Sequence, residues 1–159
     1  MKVKQYVRFL LFSSTIDIEE LSSRVGMPAD YSEARGSRLA GKRPLPPRHR
    51  WEIRCDSPGL RIDEQLEMVI SRLRPFEAGI AALARELSAQ DPRDGAVFCM
   101  VRHFDEPEGE EEVPRHAVVR GHELESVPGQ HQLLGWHIDK ETLEFILRLD
   151  AEIDGDEYG

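Results

Sequence analysis

The sequence predicts an α+β domain in which helices pack on one face of a mainly antiparallel sheet. Two observations carry this. Between Asp63 and Gln90, the residues Leu66, Val69, Ile70, Leu73, Phe76, Ile80, Leu83, Ala84 and Leu87 recur at steps of three and four, the period of one helix face. The runs 2–13, 50–57 and 96–104 carry the apolar residues of strands. A stripe as long as the first needs a broad apolar partner, and a sheet supplies one.

Lys2 to Ser13 is expected as a strand, with Val3, Val7, Phe9 and Leu11 on one side and Tyr6, Leu10 and Phe12 on the other. Apolar residues on both sides fit a central strand. Asp17 to Val25 is expected as a short helix: Asp17 can cap it with Glu20 three residues on, Ile18, Leu21 and Val25 form its stripe, and Gly26 and Pro28 stop it. Ala29 to His49 is rich in turns and basic residues, with a short strand between Tyr31 and Arg38. In the strand Arg50 to Ser57, Trp51, Ile53 and Cys55 alternate with Arg50, Glu52 and Arg54, so one face should be buried and the other wet. The long helix follows, and Pro75 should bend or break it.

Asp94-Gly95 is a turn signal before the strand Ala96 to Phe104. From Asp105 to Gly129 no period is convincing. Asp105, Glu106, Glu108 and Glu110 to Glu112 make this stretch an acidic, mobile insertion, with a brief strand at Ala117 to Val119. His131 to Ile138 should be a strand, and Asp139 should cap a helix to Leu149 with Leu143, Ile146, Leu147 and Phe145 inward. Ala151 to Tyr158 should be a last strand. The first six elements give the ferredoxin-like β-α-β-β-α-β order, with an extra C-terminal β-α-β extension.

The length, 159 residues, suits one domain spanning 1–159 with a sizeable core. No apolar run nears the roughly 18 residues that span a bilayer. Lys2, Lys4 and Arg8 interrupt the first apolar run, which makes a poor signal peptide, so a cytoplasmic location is expected and no membrane. Cys55 and Cys99 form no C-x-x-C pair and fit buried free thiols. A net charge of -9 argues against nucleic acid as a partner.

The run Tyr6-Val7-Arg8-Phe9, then Asp17 to Leu21 and Val25-Gly26-Met27-Pro28, resembles the opening of a bacterial family known as domain of unknown function 4279. The resemblance continues through Gly36, Trp51, Leu73-Arg74-Pro75 and Gly135-Trp136-His137-Ile138, and closes with Leu143, Asp154 and Tyr158. Two features depart from the pattern. Arg35-Gly36-Ser37 lacks the acid of the family's basic-Gly-acidic turn, and Asp105 to Gly129 looks inserted. The resemblance implies the fold and a bacterial origin, and it carries no catalytic residues.

The residues themselves show no catalytic constellation. His103, His116, His122, His131 and His137 lie near carboxylates, but no H-x-x-x-H or H-E-x-x-H spacing supports a metal site. Cys99 and His103 would stand roughly 13 Å apart on one strand, too far for a nucleophile and its base. Neither a Walker loop nor a nucleophile elbow is present. No catalytic residue, metal or cofactor is therefore expected. The binding candidates are Arg35, Arg38, Arg43, Arg48, Arg50 and Trp51, in or beside a basic loop whose guanidinium groups can fork onto carboxylate or phosphate. That loop should face an external anion and leave Glu108 to Glu112 unpaired with it. The expected function is a non-catalytic binding or interaction domain of immunity or regulatory type. The alternative is a domain that binds a small anionic ligand or nucleotide, with weak enzymatic activity. The expected partner is a protein or a small anion, and a homodimer is compatible with the sequence.

Overall fold

A computed structural model describes residues 2–104, 110–111, 116–119, 121–125 and 135–159. Its centre is the strand β1 (Lys2–Ser13), which pairs antiparallel with β5 (His49–Cys55) on one side and with β6 (Gly95–Phe104) on the other. β2 (Tyr31–Glu33) borders β5 antiparallel, and β10 (Ala151–Tyr158) borders β6 in parallel. The sheet order is β10-β6-β1-β5-β2, with β7 (Glu110–Glu111) laid against the start of β1. Two hairpins stand apart from this sheet: β3 (Arg38–Ala40) with β4 (Arg43–Leu45), and β8 (His116–Val119) with β9 (His122–Glu125).

Alternation along the strands divides the sheet into two faces. Val7, Phe9 and Leu11 of β1, Trp51 and Ile53 of β5, and Phe98 and Met100 of β6 join one buried cluster with the helices. Phe9 lies 5.0 Å from Phe98 and meets Trp51 edge-on at 6.4 Å. Such aromatic pairs add about 0.5–1.5 kcal/mol each beyond their burial.

The helices follow from the apolar stripes. α1 (Ile18–Val25) starts where the Asp17 carboxylate accepts from the Glu20 amide at 2.9 Å, and it stops at Gly26, whose φ of 88° favours glycine. Leu21 and Val25 are its buried residues, while Ile18 is only partly buried. The long stripe becomes α2 (Ile62–Leu73) and α3 (Glu77–Gln90), separated by a 3-10 turn over Arg74–Phe76. Pro75 opens that turn, where its missing N–H costs least. Both halves bury their apolar residues against the sheet, so the expected break at Pro75 is present and the stripe stays in phase across it.

α4 (Lys140–Arg148) begins at Asp139, whose carboxylate accepts from the Thr142 amide at 2.8 Å. Its inward residues differ from the expected set. Phe145, Ile146 and, just beyond the helix, Leu149 are buried, while Leu143 and Leu147 are 41% and 73% exposed. The stripe has rotated because the chain turns at Asp150 (φ 55°) directly into β10, which brings Leu149 inward. Residues 135–138 form no strand, and the rest of the strand expected at 131–138 lies outside the described residues. So does most of the expected acidic insertion, although β8 and β9 add a hairpin where only a brief strand was expected. Among the described residues, no helix is long and apolar enough to cross a membrane.

Asp30, in the loop before β2, ties α2 to β5. Its carboxylate takes both terminal nitrogens of Arg72 on α2, at 2.6 and 2.7 Å, and accepts from the Arg54 amide on β5 at 2.9 Å. The Arg72 bond holds the Asp30 carboxyl below its ordinary value; burial, next in size, opposes it, and the Arg54 amide adds to the lowering. A carboxyl lowered in the folded state binds fewer protons there than in the unfolded chain. It therefore adds stability above the unfolded value near 3.9, and this is lost as pH falls through the folded value. Asp30→Asn should cost about 1–2 kcal/mol at neutral pH, since the pair is partly exposed. The difference from wild type should shrink as pH drops below about 4 in urea unfolding. A difference that stays constant down to the acid limit would count against this role.

Candidate functional site

The sheet face turned away from the buried cluster carries the polar chemistry, and no described helix packs on it. Register places its side chains in rows across the strands. One row runs Tyr31, Glu52, Leu10, Val97, Glu152, and the next runs Arg54, Arg8, Cys99, Asp154. The face is therefore polarised, with arginines on β1 and β5 and acids on β10.

Glu52 is the focus of the basic half. It is 1% exposed, and neither carboxylate oxygen has a hydrogen-bond partner. The Nε of Arg8 lies 3.4 Å from Oε1 and the Nε of Arg50 3.7 Å from Oε2, so the carboxylate is held between two guanidinium groups by charge alone. Both side chains are more than a quarter exposed, so they reach the surface while flanking the buried acid. Arg8 stacks on the Tyr6 ring at 4.2 Å. Arg50 and Arg54 lie 4.8 and 5.7 Å from the Tyr31 ring. Stacking on an aromatic face orients the planar fork. Glu33 on β2 completes the set, 3.5 Å from Arg50 and 2.9 Å from Arg38.

The six residues singled out by sequence do not form one cluster. Arg50 belongs to the site just described, and Arg38 touches its border through Glu33. Arg35 donates from Nη1 to the Ser14 carbonyl at 2.8 Å, and its amide donates to His49 Nδ1 at 3.1 Å. Arg48 lies over the Phe12 ring and 3.8 Å from the buried Asp94 carboxylate, which also accepts from the Ser14 amide at 2.6 Å. Arg43 is exposed on the β3–β4 hairpin. Trp51 lies on the opposite face of the sheet, fully buried, and donates from Nε1 to Ser22 Oγ at 3.0 Å. Arg35, Arg38, Arg48 and Arg50 meet carboxylates or a carbonyl of the protein itself, with Arg35 and Arg48 folded back over the ends of β1 and β6. The expectation that Glu52 faces water is corrected: it is buried.

Sequence reasoning missed Arg8, Arg54, Tyr6 and Tyr31. The signal was present in the period of two: Tyr6 and Arg8 on β1 share a face with Arg50 and Arg54 on β5 once the register is known. Register is a long-range property, and one sequence does not state it.

The remaining candidates show no reactive arrangement. Among the described residues, no group of three or more His, Cys, Asp and Glu side chains could hold a metal ion. Cys55 and Cys99 are free thiols. Burial, and then the Asp154 carboxylate, push the Cys99 thiol above its ordinary value, which disfavours the thiolate a nucleophile needs. His103 stacks on Tyr158 at 4.8 Å. His131 lies outside the described residues.

A comparison with family models matches residues 2–108 to Domain of unknown function (DUF4279). The chain belongs to this family. The matched residues of this domain of unknown function 4279 include β1, β5 and β6, and hence Arg8, Arg50, Glu52 and Arg54. They stop before α4 and β10, so Gly135 to Ile138, Leu143, Asp154 and Tyr158 lie beyond them. No curated protein and no solved structure matches the chain.

Proposed function

We propose that the protein is a non-catalytic binding domain of regulatory or immunity type, whose recognition surface is the basic half of the helix-free sheet face. Arg8, Arg50 and Arg54 would receive carboxylate or phosphate groups of a partner, with Arg38 at the rim. The observation that carries this reading is the burial of Glu52 between two guanidinium groups without a hydrogen bond. Burying a carboxylate costs several kcal/mol, roughly, and an ion pair seldom returns more than a well-packed apolar residue would. The neighbours in its row are Leu10 and the ring of Tyr31, so an apolar residue would suit the position. A charged residue is explained by another role. It holds Arg8 and Arg50 side by side against their mutual repulsion, with their outer N–H groups presented to an anion.

A ferredoxin-like core is part of the same reading. The order β6-β1-β5-β2 with antiparallel neighbours, and two helical connections on one face, support it. β10 then extends the sheet as a parallel strand. A single domain in a bacterial cytoplasm is the setting we infer.

A second reading, a small anionic ligand, is favoured by the tyrosine-backed forks, which suit a single phosphate or carboxylate as well as a protein surface. Thermal shift at low ionic strength with pyrophosphate, citrate, ATP and an oligo-glutamate peptide separates the two. A ligand at a hundred times its dissociation constant should add about 2.7 kcal/mol of stability. Arg54→Ser, which removes no salt bridge among the described residues, should weaken the responding anion about tenfold, and added salt should abolish the remainder. No response to any of the four probes would contradict the proposed surface.

A further inference from the structure

We propose that the outer edge of β10 is a docking edge for an extended peptide strand with Lys or Arg at alternate positions and apolar residues between them. This edge lies at the far side of the sheet from the arginine site and does not rest on it.

β10 is eight residues long and pairs with β6 through an unbroken register from Ala151 to Tyr158. Among the described residues, no strand pairs with its other side. Six of its eight residues are exposed, and the remaining two are half-buried. Of the usual devices that blunt an edge, β10 has no proline, no lysine and no bulge; it carries charge instead, Glu152, Asp154, Asp156 and Glu157, which repels acidic strands and leaves the edge open to a cationic one. It is nevertheless held firmly. Tyr158 stacks on His103, and Glu157 takes Nη1 of the buried Arg102 at 2.7 Å. A fixed strand whose outer row of backbone groups no described strand pairs is a template for strand addition.

The two faces of this edge state what would fit. Glu152, Asp154 and Asp156 point to the helix-free side. On the helix side, Ile153 is 42% exposed, and it shares an open cleft of about 630 Å³ with the 73% exposed Leu147 of α4. Leu143, one turn back on α4, is 41% exposed. Gly155, on the helix side, has no positive φ, and a Cβ there would meet nothing within 4 Å. The fold does not demand a glycine here, and its absent side chain leaves room for close approach.

The acid row also disfavours a second copy of the chain as the occupant. Two β10 strands paired antiparallel about Gly155 would set Asp154 against Asp156, and like charges directly opposite are destabilising. The same row attracts a strand with cations at the matching positions, which is selection by charge.

The test uses fluorescence anisotropy with the full chain and a labelled Lys-Val-Lys-Val-Lys-Val-Lys peptide. Two control peptides accompany it: the Glu-Val analogue, and the Lys-Val peptide with alternate backbone amides N-methylated on its pairing edge. The Lys-Val peptide should bind, the Glu-Val peptide should not, and N-methylation should weaken binding about tenfold or more because it removes ladder hydrogen bonds. The D154K/D156K variant should reverse the preference between the two charged peptides. Should that variant fail to fold, the N-methylated peptide against the wild-type protein decides alone. Equal binding of the N-methylated peptide would overturn the proposal by showing attraction to an acidic protein only. A wild-type chain that dimerises through β10 in sedimentation would overturn it as well. Arg54→Ser should leave peptide binding unchanged, so failure here and failure of the arginine site are separable.

Discussion

Replacing Arg8 and Arg50 together by Met should destabilise the protein by about 3–5 kcal/mol. Methionine covers much the same surface as the arginine stems, so the loss is not one of packing. What remains is Glu52, 1% exposed, with no hydrogen bond and no cation beside it. An uncompensated buried carboxylate carries the desolvation penalty in full. Adding Glu52→Gln to the double variant should recover most of the stability, because the amide has no net charge to desolvate. Glu52→Gln alone should cost little, about 1 kcal/mol or less, since the ion pairs it removes offset their own desolvation. Urea unfolding of the four proteins checks this. A double variant that loses less than about 1 kcal/mol, or that Glu52→Gln fails to rescue, would show that the carboxylate is not held by these two arginines.

Trp51→Ala should cost about 3–5 kcal/mol through the opposite face of the same strand. Trp51 is the largest of the fully buried side chains, packs edge-on to Phe9 and donates its indole N–H to Ser22 of α1. Removing it opens a cavity between α1 and the sheet and orphans the serine hydroxyl. Trp51→Phe, which keeps most of the apolar volume, should lose only about 1–2 kcal/mol. The Trp51→Ala variant should keep its anion response wherever it remains folded, because Trp51 faces away from the arginines. A Trp51→Ala protein of full stability with a lost anion response would place Trp51 at the recognition surface, where its sequence position beside Arg50 suggested it belongs.

That contrast shows what the sequence could reveal. Local patterns transferred well: the helix stripe and its break at Pro75, the Asp17 and Asp139 caps, the Gly26 stop, and the burial of Trp51, Ile53 and Cys55 on one face of β5. Each depends on a few neighbouring residues and on steric or hydrogen-bond rules that act within a turn or two. The errors have another origin. On α4, Leu143, Leu147 and Phe145 compete for the inward face, and the winner depends on where Asp150 turns the chain into β10. Glu52 was expected in water because glutamate on the outer face of a strand usually is. Its burial depends on Arg8, brought beside it by the pairing of β1 with β5. The basic loop was conspicuous in composition, yet its arginines scatter onto different groups of the protein, Ser14, Glu33 and Asp94 among them, while the residues that build the site come from strands separated by some forty positions. Charge density along the chain is a poor guide when register decides which charges meet.

The most direct test is a titration of isotope-labelled protein with pyrophosphate and with citrate, followed through the arginine Nε–H and backbone amide NMR signals at low ionic strength. The Nε–H signals of Arg8, Arg50 and Arg54 and the amides of β1 and β5 should shift together along one saturable curve. The shifts should vanish as salt is raised, while the amides of α1 and α3 stay in place. Shifts confined to Arg35, Arg43 and Arg48, or spread evenly over all the arginines, would contradict the account and return recognition to the loop or to no defined site.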